Sequence, residues 1–146
     1  MKDLAIELKV LNNLIFRDLE KRARLTAGDM ISGVNGMIMG YILRQGDREV
    51  YQRELESEFG LTRSTISKVV NLMERKGLIE RATAEHDARQ RMIRLTDRAQ
   101  ELAGIVQEES RLLSSRLLAD FEDDEIEILM NYIGRMTQNM RGSDAD

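Results

Sequence analysis

Apolar residues recur with a helical period over the first 24 residues of the chain. The main stripe has spacings of four, three, four and four and consists of Leu4, Leu8, Leu11, Ile15 and Leu19. A second apolar set widens this face beyond what one neighbouring helix would cover, and it consists of Ile6, Val10 and Leu14. The pattern predicts a long amphipathic helix that packs against two surfaces, either within its own core or shared with a partner subunit.

The last third of the chain is also helical in its pattern. Residues 97–118 carry apolar residues over about five helical turns, and the acidic run at 122–125 favours the start of a further helix. The apolar residues of that last helix are spaced three, four, three and four apart, and they are Ile126, Leu129, Ile133, Met136 and Met140. Because this spacing is typical of the seam between paired helices, we predict a homodimer with the seam between subunits.

The central segment begins with helical signals. Residues 34–42 are predicted to form a core helix, and residues 52–58 a short helix that ends at Gly60. A longer helix follows over residues 62–76, and one narrow face of it is apolar, with Ile66, Val69, Val70 and Met73. A short helix, a glycine turn and a longer helix together predict a helix-turn-helix.

The period then changes from helix to strand. After Gly77, two short runs at 78–81 and 92–95 are rich in apolar residues, and the segment 82–91 between them is polar. The run at 47–51 is predicted to contain a turn and a short extended piece. The chain is therefore predicted to be mainly α-helical with a small β-hairpin wing, as a winged helix-turn-helix with helices on both sides.

The outer face of the helix at 62–76 is polar and basic. Small hydroxylated residues let a helix backbone approach a DNA groove, and its N-terminal amides can reach phosphates. The predicted groove contacts on this helix are Thr62, Arg63, Ser64, Thr65, Ser67, Lys68 and Asn71. Arg63 is the candidate for bidentate recognition of a guanine, its alternative being a solvated surface charge. Ser64 is also a candidate helix cap, and Gln52 and Arg53 are predicted to anchor the DNA backbone.

Three motifs resemble the multiple antibiotic resistance regulator (MarR) family of bacterial transcription factors. They are TRSTISKVVNLMERKGLI from Thr62, DAR at residues 87–89, and IRLT at 93–96 leading into a long helix. Ala99 stands where the family usually has glycine. The resemblance implies a single domain over 1–146, with a winged helix-turn-helix at 34–98 and dimerisation helices at 1–25 and 99–141. It favours the homodimer over an internal core helix for the first segment.

The resemblance also implies roles for the wing and for an effector. Arg89 would enter the minor groove, with Asp87 holding its guanidinium in place. Arg91 lies near the tip of the same loop. The alternative for Asp87 and Arg89 is an exposed ion pair that contributes little to stability. Family members often bind small aromatic or phenolic acids, and many are repressors. The candidate effector-binding residues are Asn12, Phe16, Met37 and Tyr41, for each of which ordinary core packing is the alternative.

Composition narrows the chemistry. The chain has no Cys and one His, so we predict no disulfide, thiol sensor, metal site or other cofactor. No apolar run approaches the ~20 residues of a membrane span, and we expect a cytoplasmic protein without a membrane partner. The net charge is −4, yet residues 61–98 carry nine Lys/Arg against five Asp/Glu. This local excess of +4 is compatible with double-stranded DNA as partner.

Two alternatives to a DNA-binding regulator are an enzyme and a protein-interaction module. An enzyme is disfavoured because the sequence offers no phosphate-binding glycine loop, no metal-ligand cluster and no nucleophile with a recognisable base. A winged helix that serves only as a protein-interaction module would carry apolar residues on the outer face of its second helix, but that face is polar here. We therefore predict a transcriptional regulator, a repressor by family resemblance, on a pseudo-palindromic operator.

Overall fold

The computed structural model describes residues 3–84 and 91–142, apart from the side chain of Asp29. The helices within these ranges are α1 (Leu4–Ala27), α2 (Gly33–Arg44), α3 (Gln52–Phe59), α4 (Arg63–Arg75), α5 (Asp97–Leu117) and α6 (Asp123–Gly142). The strands are β1 (Val50–Tyr51), β2 (Ile79–Thr83) and β3 (Arg91–Leu95). The chain forms two compact units, residues 1–111 and 112–146. The predicted fold class, mainly helical with a small wing, is confirmed.

Local capping interactions set the first helix boundaries. The Asp3 carboxylate accepts a hydrogen bond from Ala5 N at 2.9 Å at the start of α1. Ser32 Oγ accepts one from Asn35 N at 3.2 Å at the start of α2. The N–H of Gly33 donates to Glu20 Oε1 at 2.7 Å, so a carboxylate from α1 satisfies an orphan amide of α2. The break predicted at 26–35 is shorter in the structure, because α1 extends to Ala27 and α2 begins at Gly33.

A left-handed glycine separates α3 from α4. Gly60 has φ +58° and ψ 32°, and its N–H donates to the carbonyl of Glu56. Thr62 then caps α4. The glycine conformation redirects the chain within two residues, and few other residues adopt it without strain. The predicted helix-turn-helix is formed as the sequence indicated.

The three strands form an antiparallel sheet in the order β1-β3-β2. The short β1 pairs with β3 through Val50 and Ile93, which confirms the predicted extended piece before α3. The hairpin is longer than predicted, because Thr83 at the end of β2 pairs with Arg91 at the start of β3. The alternation of apolar and polar residues weakens where β2 ends and β3 begins. Only the backbone pairing therefore shows that Thr83 and Arg91 belong to the hairpin.

The core of the first unit is made by one face from each element. The fully buried side chains include Ile38, Met39, Leu55, Ile66, Met73 and Leu78. Thr96 connects the end of the hairpin to this core: its Oγ1 donates to the carbonyl of Gly77 at 2.8 Å and accepts from Ala99 N at 3.2 Å. Ala99 is completely buried, so a small residue suffices at the position where the resembled family has glycine.

Both units expose apolar helix surface. In the first unit α1 buries only Ala23, and its amino-terminal half exposes Leu4, Ile6, Leu8, Val10, Leu11 and Leu14 by 42–61%. In the second unit α6 buries no residue, and it exposes Ile128, Met130, Tyr132, Ile133 and Met140 by 42–71%. An apolar surface of this extent on helices indicates an interaction site, since scattered single residues would need no explanation.

The glycines of α2 allow a direct test of packing in the first unit. A methyl group at Gly36 would lie 2.9 Å from Val106 Cγ1, whereas one at Gly40 would meet only the flexible guanidinium of Arg44 at 3.4 Å. Replacing helical glycine by alanine contributes about 0.8–1 kcal/mol of helix propensity, and overpacking costs ~1–3 kcal/mol. We expect Gly40→Ala to raise the free energy of unfolding and Gly36→Ala to lower it. Urea unfolding monitored by circular dichroism measures both, and equal stabilisation would contradict close packing at Val106.

Candidate nucleic-acid interface

Helix α4 is anchored by its apolar face. Ile66, Val70 and Met73 are each 0% exposed, and Val69 is half-buried. The opposite face therefore points away from the core. Arg63, Ser64, Thr65 and Lys68 are exposed there, while Ser67 is half-buried.

The predicted contacts at the start of α4 form a hydroxyl cluster. Thr62 Oγ1 accepts a hydrogen bond from Thr65 N at 3.2 Å, and it lies 2.9 Å from Thr65 Oγ1 and 3.2 Å from Ser64 Oγ. Thr62, rather than Ser64, is thus the helix cap. All three side chains are exposed, so their hydroxyl groups combine a capping role with an accessible surface.

A groove of about 830 Å³ runs beside this surface. Four arginines from different elements line it, namely Arg53, Arg63, Arg81 and Arg91. Its other lining residues are Tyr51, Gln52, Glu54, Glu56, Ser57 and Ile93. The structure therefore brings the predicted anchors Gln52 and Arg53 together with Arg63 and the hairpin residue Arg91. Converging guanidinium groups make a favourable setting for phosphate oxygens.

The start of α3 is fixed by a network around Glu54. Both guanidinium Nη atoms of Arg48 donate to its carboxylate, at 3.0 and 3.2 Å, and Tyr51 N donates at 3.3 Å. These bonds raise the pKa of Arg48, with the hydrogen bond to Glu54 as the main cause. They also neutralise one of the two acidic residues that line the groove. The hydroxyl of Tyr51 donates to Glu49, which raises the pKa of Tyr51.

One arginine of the groove was not predicted from the sequence, namely Arg81 on β2. Its Nη2 donates to the Oδ1 of Asn71, and its Nε lies 3.5 Å from Glu74 Oε2. Asn71, predicted as a DNA contact, is thus exposed on α4 but engaged by the hairpin. The period-two spacing of Ile79 and Arg81 could have placed this arginine on the helix-facing side of the strand. The predicted wing residues Asp87 and Arg89 lie outside the described residues.

A separate cavity of about 210 Å³ lies within the first unit. Its walls are Leu19, Arg22, Ala23, Thr26, Ser32, Gly33, Gly36, Met37, Gly40, Arg44, Phe59, Val106, Gln107, Glu109 and Ser110. Of the four candidate effector residues, only Met37 lines it. Asn12 is exposed, and Phe16 lies against Gly33, where its Cδ1 would be 3.6 Å from an added methyl group. Tyr41 packs edge-on against Phe59 and accepts a hydrogen bond from Arg48 at 3.3 Å.

The wall of this cavity contains an ion-pair network. Arg22 donates to Asp18 Oδ2 and to Glu109 Oε2, each at 2.6 Å. Both interactions raise the pKa of Arg22, that with Asp18 more strongly. No signal in the sequence could have found the contact between Arg22 and Glu109, because 87 positions separate them. Arg44 adds a guanidinium at the rim, where it is exposed.

Residues 3–84 and 91–142 offer neither a metal site nor a membrane-spanning helix. No three His, Cys, Asp or Glu side chains gather there as a metal site would require. In the same residues, every helix is too short or too polar to span a bilayer.

Comparison with known proteins relates this chain to the MarR family. The MarR family model matches residues 31–90. An uncharacterized HTH-type transcriptional regulator of Bacillus subtilis (strain 168), YdgJ, is 24% identical over 97 residues. That match covers 66% of this chain and 59% of the relative, so the chain spans less than two thirds of its length.

Solved structures extend the likeness over nearly the whole chain. The transcription regulator MarR from Oenococcus oeni PSU-1 is 29% identical, with a TM-score of 0.81, and the match covers 93% of this chain and 99% of that one. A putative MarR family transcriptional regulator from Listeria monocytogenes, complexed with 26mer DNA, shares the fold at 17% identity and a TM-score of 0.84. That match covers 98% of this chain and 92% of the Listeria chain. The resemblance seen in the motifs is confirmed, because residues 31–90 match the MarR family model and the chain has the winged helix-turn-helix fold of MarR family regulators.

Proposed function

We propose that the protein is a sequence-specific, double-stranded DNA-binding transcriptional regulator that acts as a homodimer and has no catalytic role. The observation that carries the proposal is the arginine-lined groove beside the exposed polar face of α4, on a chain whose net charge is −4. Positive charge that gathers on one surface of an acidic protein favours a polyanionic partner. The DNA complex of the Listeria relative supports this choice. As a regulator of bacterial genes it would act in the cytoplasm.

The contacts divide into positioning and reading. Gln52 and Arg53 begin α3 and, with Arg91, would hold phosphates along the groove. Arg63, Ser64, Thr65, Ser67 and Lys68 would enter the major groove, with Thr62 beside them. The wing residues Asp87 and Arg89 would reach the minor groove. Residues 34–98 would form the DNA-binding region, with the helices at 1–25 and 99–141 serving dimerisation in a single MarR-type domain.

The dimer follows from the unpartnered helical faces. The exposed apolar residues of α1 and α6 would be covered by a second copy of the chain, and the regular spacing of Ile126, Leu129, Ile133, Met136 and Met140 predicts the seam between the paired helices. A two-fold dimer presents two recognition helices to successive major grooves about 34 Å apart. The operator would therefore be a pseudo-palindrome with half-sites one turn apart, and repression follows from occupying it.

The function itself is tested by selecting duplexes from a random-sequence pool with the purified protein, at several salt concentrations. We expect a pseudo-palindromic site and an affinity that falls steeply with salt, because several phosphate contacts release counterions. Weak binding without sequence preference would instead favour a winged helix used as a protein-interaction module.

Arg63 and Arg53 form a matched pair for separating reading from positioning. We expect Arg63→Ala to relax base preference at one position per half-site, with a loss of discrimination of about tenfold, because a bidentate guanine contact is removed. Arg53→Ala should weaken binding to all duplexes by a common factor and lower the salt slope by about one. Binding to a set of single-base operator variants measures both. A uniform loss with Arg63→Ala would make it a phosphate contact.

The dimer seam is tested at Ile133 in the second unit, which is 42% exposed. We expect Ile133→Arg to yield a monomer in sedimentation equilibrium, because two guanidinium groups would face each other in an apolar seam. Gln138→Arg adds the same charge outside the apolar seam and should leave the dimer intact. A dimeric Ile133→Arg protein would place the interface elsewhere.

We also propose that the cavity of the first unit receives a small aromatic or phenolic effector. Its volume of about 210 Å³ suits a compact ring, and Met37 and Phe59 offer apolar contact. The carboxylates of Asp18 and Glu109 compensate the positive charge of Arg22. The exposed Arg44 is therefore the available cation at the rim. An aromatic acid could place its ring inside and its carboxylate at that guanidinium. Of the other candidates, Phe16 and Tyr41 lie against the wall residues Gly33 and Phe59, whereas Asn12 is exposed and does not line the cavity.

Salicylate is a suitable probe of this cavity. We expect it to raise the thermal unfolding midpoint and to weaken duplex binding of the wild-type protein. Gly40→Leu projects a side chain into the cavity and should abolish both effects, while Gly40→Ala should retain them. A full response in the Gly40→Leu variant would remove the cavity from the proposal.

A further inference from the structure

The charged side chain of Arg81 lies on the face of the wing hairpin that packs against the helices. Arg81 pairs across the strands with Ile93, and the next pair on the same face joins Ile79 to Leu95. These three apolar partners are 2–8% exposed. The side chain of Arg81 is 16% exposed, and its Nε is buried without a hydrogen-bond partner among the described residues. A charge in such a place is rare without compensating partners.

Both compensating partners belong to the recognition helix. The Nη2 of Arg81 donates to the amide oxygen of Asn71, and its Nε lies 3.5 Å from the carboxylate of Glu74. Residues three apart on a helix are neighbours on one face, so the two groups receive the guanidinium together. Between them they connect the middle of β2 to the carboxyl-terminal half of α4.

The groove also distinguishes Arg81 from its neighbours. Arg63 and Arg91 line the same groove and are exposed, whereas Arg81 is largely covered and directs two of its nitrogen atoms toward α4. A phosphate contact would require those nitrogen atoms to leave Asn71 and Glu74. Breaking such contacts would leave an uncompensated charge on a buried face.

We propose that Arg81 is a positioning residue that ties the wing hairpin to the recognition helix through Asn71 and Glu74. The two DNA-contacting elements then move as one body, and the angle of the wing relative to α4 is fixed before DNA is bound. Asn71 acts on DNA affinity through Arg81 and reads no base. This role in DNA binding rests on the proposed function, whereas the connection between hairpin and helix does not.

The first experiment measures amide hydrogen exchange in the free protein. Asn71 is an exposed helical position, so Asn71→Ala leaves the core untouched and should fold even if Arg81→Ala does not. We expect Asn71→Ala to speed exchange in β2 and β3 by roughly fivefold, as the loss of a charge-assisted hydrogen bond implies. Arg94→Ala removes a guanidinium from an exposed position on the other face of the same hairpin and should leave exchange unchanged. Unchanged exchange in the Asn71 variant would overturn the connection.

The second experiment measures affinity for the selected operator and for one unrelated duplex over a salt series. We expect Asn71→Ala and Arg81→Ala to weaken binding to both duplexes by a common factor, roughly fivefold. Because both act through one contact, the double variant should bind no more weakly than the weaker single variant. Three outcomes would each overturn the positioning role. The first is additive losses in the double variant, and the second is a changed base preference in Asn71→Ala. The third is normal binding by Asn71→Ala beside a lower salt slope in Arg81→Ala. If the wild-type protein binds neither duplex, the proposed function fails, while the exchange experiment still decides the connection.

Discussion

The burial of one narrow face of α4 is the constraint on which the rest of this structure depends. Ile66, Val70 and Met73 are completely buried, and only one rotation of the helix about its axis allows this. The polar face with its hydroxyl cluster is therefore turned outward, and the hairpin leaves from the far end of the same helix at Gly77. The wing, the groove and the exposed start of α4 all take their positions from that packing.

Polar contacts between elements fix relative orientations that apolar packing alone does not determine. Glu54 fixes the start of α3 through Arg48, Glu20 caps α2 from α1, and Thr96 joins the hairpin to the end of α4. Individually such contacts contribute little to stability when they are exposed. Their directional geometry nevertheless selects one arrangement among several of similar apolar burial. The glycines of α2 allow neighbouring helices to approach closely, as the position of Val106 beside Gly36 illustrates.

Charge in this protein has to be considered by location rather than by total. Arginines that are distant in sequence converge on one groove, although the chain as a whole is acidic. One acidic residue of that groove, Glu54, is already occupied by Arg48, so its negative charge is compensated locally. In contrast, Arg22 beside the cavity is neutralised by two carboxylates. The same residue type therefore serves an accessible cationic surface in one place and an internal connection in another.

Most of the fold could be predicted from the sequence, because its signals are local. Helical spacing marked α1, α4 and α6, and Gly60 and Gly77 marked two turns with positive φ, since both signals depend only on neighbouring residues. The family motifs predict a DNA-facing surface on the outer face of α4, and most of that face is exposed. The sequence did not predict the outer ends of the hairpin, because Thr83 and Arg91 do not continue the apolar alternation. Their place in the strands is defined by their backbone pairing.

The candidate site depended more on tertiary structure. The sequence identified Arg53, Arg63 and Arg91 as separate candidates, but only folding shows that they line one groove with Arg81. The engagement of Asn71 by Arg81 and the cavity around Met37 were likewise decided by packing. Sequence by itself determined which face of α4 is buried and where the chain turns, because local periodicity and glycine conformation set these. Tertiary structure alone decided which polar side chains meet, because hydrogen bonds of this kind join residues that no local period relates.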